Sequence, residues 1–320
     1  MEEREAENLV QRILAQYRLS GAETSPLGSI NNSVYQIQTP TGQKFSLRIL
    51  PKEWNMRQSL EEELTFLDFV AQRNQVVVPR PVRNLQGELV TVLSTTEGDR
   101  LSCLFEWREG QEIKHCLTLP LLKEIGRSVA KLHQIGKEFG FPTPDNHFRR
   151  GYHYGKELAT SHREWIEVHK EEIGTEHVTL LLSAVEKVVV GMERMGETLE
   201  NFGFIHADLH FGNFLAQDDQ ICILDFDQLG RGHYGFDIAI LMEELLNEPE
   251  PFTLRWESFL SGYQEVADLP FRQESELDIF LIAVHLGFLD WVYNASNPAV
   301  RTEKGQYLTG AYENIRAKLS

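Results

Sequence analysis

Along the first hundred residues apolar side chains mostly alternate with polar ones, whereas from Leu117 onward they recur every three or four positions. The change of period divides the chain into a strand-rich part and a helical part. Ahead of the strands, Leu9, Ile13, Leu14 and Tyr17 share one face of a helix. Segments 33–39 and 43–50 flank "PTG" and read as a hairpin, and 55–74 reads as a helix. "VVVPRPVRN", "ELVTVLS" and "RLSCLFEW" add three strands, with a turn at Gly87. Five strands, with one helix between the second and third, make an α+β lobe over residues 1–106. The remainder, 107–320, is mainly helical, with helices expected at 121–136, 155–171, 176–199, 236–247, 252–267 and 275–294. One hairpin, "NFLAQDDQICILDFD" (213–227), interrupts them and ends on an acidic tripeptide.

Composition narrows the class. The 320 residues are 42% hydrophobic and 25% charged, as in a globular chain of about two domains. The first twenty residues begin acidic and hold no apolar core, so they are neither a signal nor a transit peptide. "LDIFLIAVHLGFLDWVY" (277–293) is shorter than a bilayer span and carries Asp278, His285 and Asp290, which fits a buried helix. Three scattered cysteines, Cys103, Cys116 and Cys222, suit a reducing cytoplasm and form no zinc or disulfide framework. A net charge of −17 argues against nucleic acid or anionic membrane as partner. Residues 241–280 hold ten Asp/Glu against two Arg. This run is either a solvated helical surface or an electrostatic funnel for a cationic small molecule.

The chemistry concentrates in "HADLHFGN" (206–213), just ahead of the hairpin. Taken as metal ligands, His206, Asp208 and His210 with Asp225 and Asp227 would make a metallohydrolase, but Asn213 would then have no task. Taken as a polar loop, the histidines would cap backbone groups, and His210 fits that role. The spacing H-x-D-x-x-x-x-N is also that of a phosphoryl-transfer loop, with Asp as base for the attacking hydroxyl and Asn as a Mg²⁺ ligand. Those three residues at that spacing recur by chance in about one chain of this length in a hundred. A second acidic motif, carrying a metal-binding carboxylate, must then end the next hairpin strand. Asp225, after "ICIL", stands there.

The stretch "FIHADLHFGNFL…ICILDFDQLG…YGFDIA" resembles the aminoglycoside phosphotransferase and choline kinase family, a small-molecule branch of the protein-kinase-like fold that also includes homoserine kinases and stress response kinase A. "LLKEIGRSVAKLHQIG" resembles that family's helix after the interlobe linker, so the likeness extends over nearly the whole chain. The resemblance implies a two-lobed fold with Asp208 as catalytic base and Asn213 and Asp225 as Mg²⁺ ligands. It makes His206 structural and lets Asp237 brace the loop. The loop lacks the arginine that senses a phosphorylated activation loop, and too few residues follow Asp225 to form one. Asp227 stands where protein kinases carry the glycine of D-F-G, either assisting metal or substrate or simply solvated.

Binding of ATP needs a phosphate-covering turn and a cation held by an acid. "LGSINNSVYQI" puts Gly28 in the turn position, and the resemblance makes Ser29 to Asn32, with Asn31, the cover for the phosphates. In "FSLRIL", Phe45, Leu47 and Ile49 alternate onto one face, and Ser46 and Arg48 onto the other. Arg48 is then either a solvated strand arginine or the phosphate-gripping cation, where lysine is usual. On the following helix the apolar set Leu60, Leu64, Leu67, Val70 and Ala71 centres near Glu63, with Glu61 on the opposite side. A carboxylate inside an apolar face needs a cation, and Arg48 is available. The linker 105–110 would give backbone hydrogen bonds to adenine. The expected activity is Mg²⁺-ATP-dependent phosphorylation of a hydroxyl on a small, amine-bearing molecule. A protein Ser/Thr kinase of the stress response kinase A kind and a nucleotide-binding pseudokinase are the alternatives.

Overall fold

The computed structural model describes residues 3–28, 32–51, 57–96, 98–139, 153–154, 156–248, 251–295 and 298–319. The chain divides into two compact units. One gathers the described residues up to Gln111 together with Leu215–Asp227, and the other holds the described remainder.

The first unit begins with helix α1 (Glu3–Ala15), followed by strands β1 (Glu23–Gly28), β2 (Ser33–Gln38) and β3 (Lys44–Ile49), helix α2 (Arg57–Arg73), and strands β4 (Pro81–Val82), β5 (Thr91–Thr95) and β6 (Gly98–Glu106). These six strands form one antiparallel sheet in the order β1-β2-β3-β6-β4, with β5 also paired to β6. The alternation of β3 sorts its side chains as the pattern requires. Phe45, Leu47 and Ile49 join Leu9, Val10, Ile13 and Leu14 of α1 in a buried core, and Arg48 goes to the other face. The sheet carries one strand more than expected. β1 reads "ETSPLG", contains a proline and is almost wholly exposed, so no alternation marks it.

A short strand β7 (Gln111–Glu112) precedes the helical unit. Its elements are α3 (Leu119–Phe139), β8 (His153–Tyr154), α4 (Lys156–Ile173), α5 (Thr175–Met195) and β9 (Phe202–Ile205), then β12 (Gly230–His233), α6 (Tyr234–Leu246), α7 (Phe252–Gln264), α8 (Leu277–Asn294) and α9 (Pro298–Leu319). Between β9 and β12 lies the hairpin β10 (Phe214–Gln217) and β11 (Gln220–Ile223), most of which belongs to the first unit. The hairpin is not the only strand pair after Leu117, because β12 pairs in parallel with β8 and antiparallel with β9. Each of these strands has four residues or fewer, too short for a period to show. α9 also carried no signal. It holds Gly305 and Gly310 and is weakly amphipathic.

Two glycines bring α3 and α7 together. A β-carbon on Gly126 would collide with the carbonyl of Phe259, and one on Gly262 with the carbonyl of Lys123. The two backbones therefore touch, which seats His133 of α3 beside Tyr263 of α7. Among the described residues, no helix is long and apolar enough to cross a membrane.

Candidate active site

In the helical unit the octapeptide forms a loop after β9. Ala207 has a φ of 66°, a left-handed backbone that costs a residue with a β-carbon about 1–2 kcal/mol. Asp237, in the first turn of α6 and fully buried, holds it there. Its Oδ2 accepts from the amide of His206 at 2.9 Å and its Oδ1 from the amide of Ala207 at 2.7 Å. His133 Nε2 reaches the same Oδ2 at 3.0 Å, and the Tyr263 hydroxyl reaches His133 Nδ1 at 2.9 Å. Burial pushes the Tyr263 hydroxyl far above its ordinary pKa, so it remains protonated. A carboxylate oxygen accepts, so His133 Nε2 donates to Asp237 and Nδ1 is left to receive the hydrogen bond of the Tyr263 hydroxyl.

Within the loop, Asn213 Nδ2 donates to the Asp208 carbonyl at 2.8 Å and to Asp208 Oδ2 at 3.1 Å. Asp208 keeps 39% of its side chain exposed. His206 is buried, and its Nδ1 accepts from the Asp208 amide at 3.2 Å. His210 Nδ1 caps the amide of Gly212 at 3.0 Å, the polar-loop role expected of it. Among the described residues no three His, Cys, Asp or Glu side chains converge as a metal cluster, so the metallohydrolase arrangement does not assemble. Sequence reasoning missed His133, Tyr263 and Glu244, whose carboxylate accepts from the amide of Phe211 at 2.8 Å.

In the first unit Arg48 is 6% exposed and Glu63 is 3% exposed, which removes the solvated reading of the arginine. Arg48 Nη2 meets Glu63 Oε1 at 2.5 Å. Arg48 Nη1 lies 3.7 Å from Asp225 Oδ1, and the guanidinium sits over the Phe105 ring. Burial works against the arginine's charge. Cys103, Glu63, Asp225 and Asp227 more than offset it and hold its pKa well above the ordinary value. Glu61, by contrast, is partly exposed and pairs with Arg57 at 2.6 Å. Asp225 has a φ of 53° and leaves 48% of its side chain exposed.

Asn32 is buried and donates from Nδ2 to Asp227 Oδ2 at 3.1 Å. Gly28 ends β1 at a register shift, with open space around its α-carbon. Ser29 and Asn31 lie outside the described residues. The cluster fits a nucleotide and a hard cation. Arg48 Nε is buried without a partner, a donor that a phosphate oxygen would satisfy. Asp225, in the same unit, carries exposed carboxylate oxygens of the kind that suits Mg²⁺.

Residues 23–270 match the model of the phosphotransferase enzyme family. The chain belongs to this family. It is a phosphotransferase with a kinase-like α+β fold. A homoserine kinase of Rhizobium meliloti is 25% identical over 93% of this chain and 89% of its own length. Among solved structures, an amicoumacin kinase in complex with AMP-PNP, Ca²⁺ and Ami has a TM-score of 0.80 at 19% identity, covering 99% of this chain and 96% of that one. A microcompartment-associated aminopropanol kinase has a TM-score of 0.78 at 24% identity, covering 98% and 97%.

Proposed function

We propose that this phosphotransferase uses Mg²⁺-ATP to phosphorylate a hydroxyl of a small, amine-bearing molecule in the cytoplasm. The observation that carries the donor half is Arg48. It is a buried cation paired to Glu63, with a partnerless Nε and with the exposed Asp225 close by. Arg48 grips phosphate oxygens, and Glu63 keeps the guanidinium in place when no phosphate is bound. Gly28, Ser29, Asn31 and Asn32 cover the phosphates. Asn213 and Asp225 supply oxygens to Mg²⁺, which neutralises charge on the phosphates.

Asp208 orients the acceptor hydroxyl and takes its proton as the phosphoryl group arrives. Its loop is fixed on Asp237 before any substrate binds, so little reorganisation accompanies transfer. The amine on the acceptor is supported by the relatives, which include kinases of aminopropanol and of homoserine.

The test is ATP consumption against a panel of hydroxyl-bearing amines and their amine-free counterparts, with and without magnesium. Turnover should require both magnesium and the amine. Transfer to a generic protein instead would move the assignment to a protein kinase. Nucleotide binding without turnover on any acceptor would leave a pseudokinase.

A further inference from the structure

Asn32 and Asp227 are 195 residues apart in sequence, yet both are buried, at 8% and 7% exposure, and joined by the 3.1 Å hydrogen bond. Plain solvation of Asp227, one of the two readings of this residue, therefore does not hold. The carboxylate also fixes the orientation of the amide. Its nitrogen must face Asp227, so its oxygen points away. That Oδ1 is buried too and has no partner within the protein. Buried acceptors are almost always satisfied, so an orphan one marks a place where a donor arrives.

The location gives the pair its meaning. Asn32 is the last residue of the segment assigned to cover the phosphates, immediately before β2. Asp227 follows Asp225 by two residues and lies on the acidic segment assigned to the metal.

We infer that Asn32 is a latch. It ties the entry of β2 to the acidic segment before any nucleotide is present, and it keeps Oδ1 ready for a hydrogen-bond donor of the nucleotide complex. The first half stands on the hydrogen bond alone, and the second rests on the nucleotide reading of this unit. A latch closed in advance removes part of the ordering that binding would otherwise require.

Amide hydrogen exchange of β1 and β2 is measured without nucleotide in the unmodified protein, Asn32→Ala, Asp227→Ala and Asp227→Asn. ADP affinity of each is measured by calorimetry with and without magnesium. Asn32→Ala and Asp227→Ala should raise exchange by roughly fivefold to tenfold, as expected for one lost buried hydrogen bond. Asp227→Asn retains an acceptor for Asn32 and should leave exchange near the unmodified level. Asn32→Ala should also weaken ADP about fivefold even without magnesium, because its Oδ1 is lost as well. If Asn32→Ala does not fold, Asn32→Asp serves, since it sets one carboxylate against another and should raise exchange further.

Exchange that is unchanged in both alanine variants would overturn the latch. Raised exchange with undiminished ADP affinity would overturn the role given to Oδ1. Exchange raised as in the alanine variants, in a protein that never binds ADP, would keep the latch and remove the nucleotide reading.

Discussion

Glu63 and Asp237 are both almost inaccessible carboxylates, one in each compact unit, and they are satisfied by different means. Glu63 pairs with a cation, Arg48, at 2.5 Å. Asp237 meets no arginine or lysine in the contacts described above. It accepts from two backbone amides and an imidazole. The first arrangement holds a charge in place for the phosphates of the proposed nucleotide. The second spends a charge on fixing the shape of a loop. A buried ion pair is costly to break from one side, whereas a carboxylate shared among several hydrogen-bond donors loses less when one donor goes.

The sharpest way to separate the units is to remove one carboxylate from each site. Asp208→Asn should lower kcat by about 10²–10⁴ through loss of the general base, with nucleotide affinity within a few-fold. Asp225→Ala should instead abolish the magnesium dependence of ATP binding, read by calorimetry with and without the metal. Near-full activity in the first variant would remove the base from this loop. An unchanged magnesium response in the second would place the cation elsewhere.

Breaking the ion pair comes next. Glu63→Gln should destabilise the fold by about 3 kcal/mol, because buried Arg48 loses its closest carboxylate and keeps only the longer contact to Asp225. Glu61→Gln, two residues away but partly exposed, should cost about 0.5 kcal/mol or less. Urea unfolding of the two proteins measures the difference. Equal losses would mean that the helical face is not what distinguishes the two acids.

This contrast also explains what was legible in advance. Arg48 and Glu63 lie on regular elements, so the helix period placed Glu63 where only a partner could make it tolerable, and the strand period put Arg48 on the face of β3 away from the core. Asp208 and Asn213 meet within one loop, as their spacing suggested. The donors to Asp237 were not legible. Backbone amides have no side-chain signature, and His133 and Tyr263 meet only because Gly126 and Gly262 let α3 and α7 touch. The sixth strand was hidden for a related reason. β1 is an exposed edge with a proline, and it is held by backbone pairing to β2 rather than by burial of its side chains.

A smaller effect tests the brace on Asp237. Tyr263→Phe removes the hydroxyl that His133 Nδ1 accepts from and leaves a buried nitrogen unsatisfied, for a loss of about 1–3 kcal/mol. Because His133 still donates to Asp237, the loop should keep its shape. kcat should then fall by less than about tenfold with KM unchanged, while thermal unfolding shifts downward. A large fall in kcat without a change in stability would mean that the tyrosine acts on the reaction rather than on the brace.

The smallest effect concerns the acidic run at 241–280. If its carboxylates steered a cationic acceptor, the KM for an amine would rise steeply with salt, as the Debye length shrinks from about 10 Å at 0.1 M to about 3 Å at 1 M. Many of these acids are engaged locally. Glu265 pairs with Lys123 and Arg127, Glu248 with Arg255, Asp278 with Lys318, and Glu243 with His285. Glu244 accepts from the amide of Phe211, Glu274 from the indole of Trp256, and Glu276 from the amide of Arg272. A paired carboxylate projects little field beyond its partner, so KM for the amine should rise only about twofold between those salt concentrations, with kcat unchanged. A tenfold rise would make the run a funnel, and a flat KM would leave it as solvated surface.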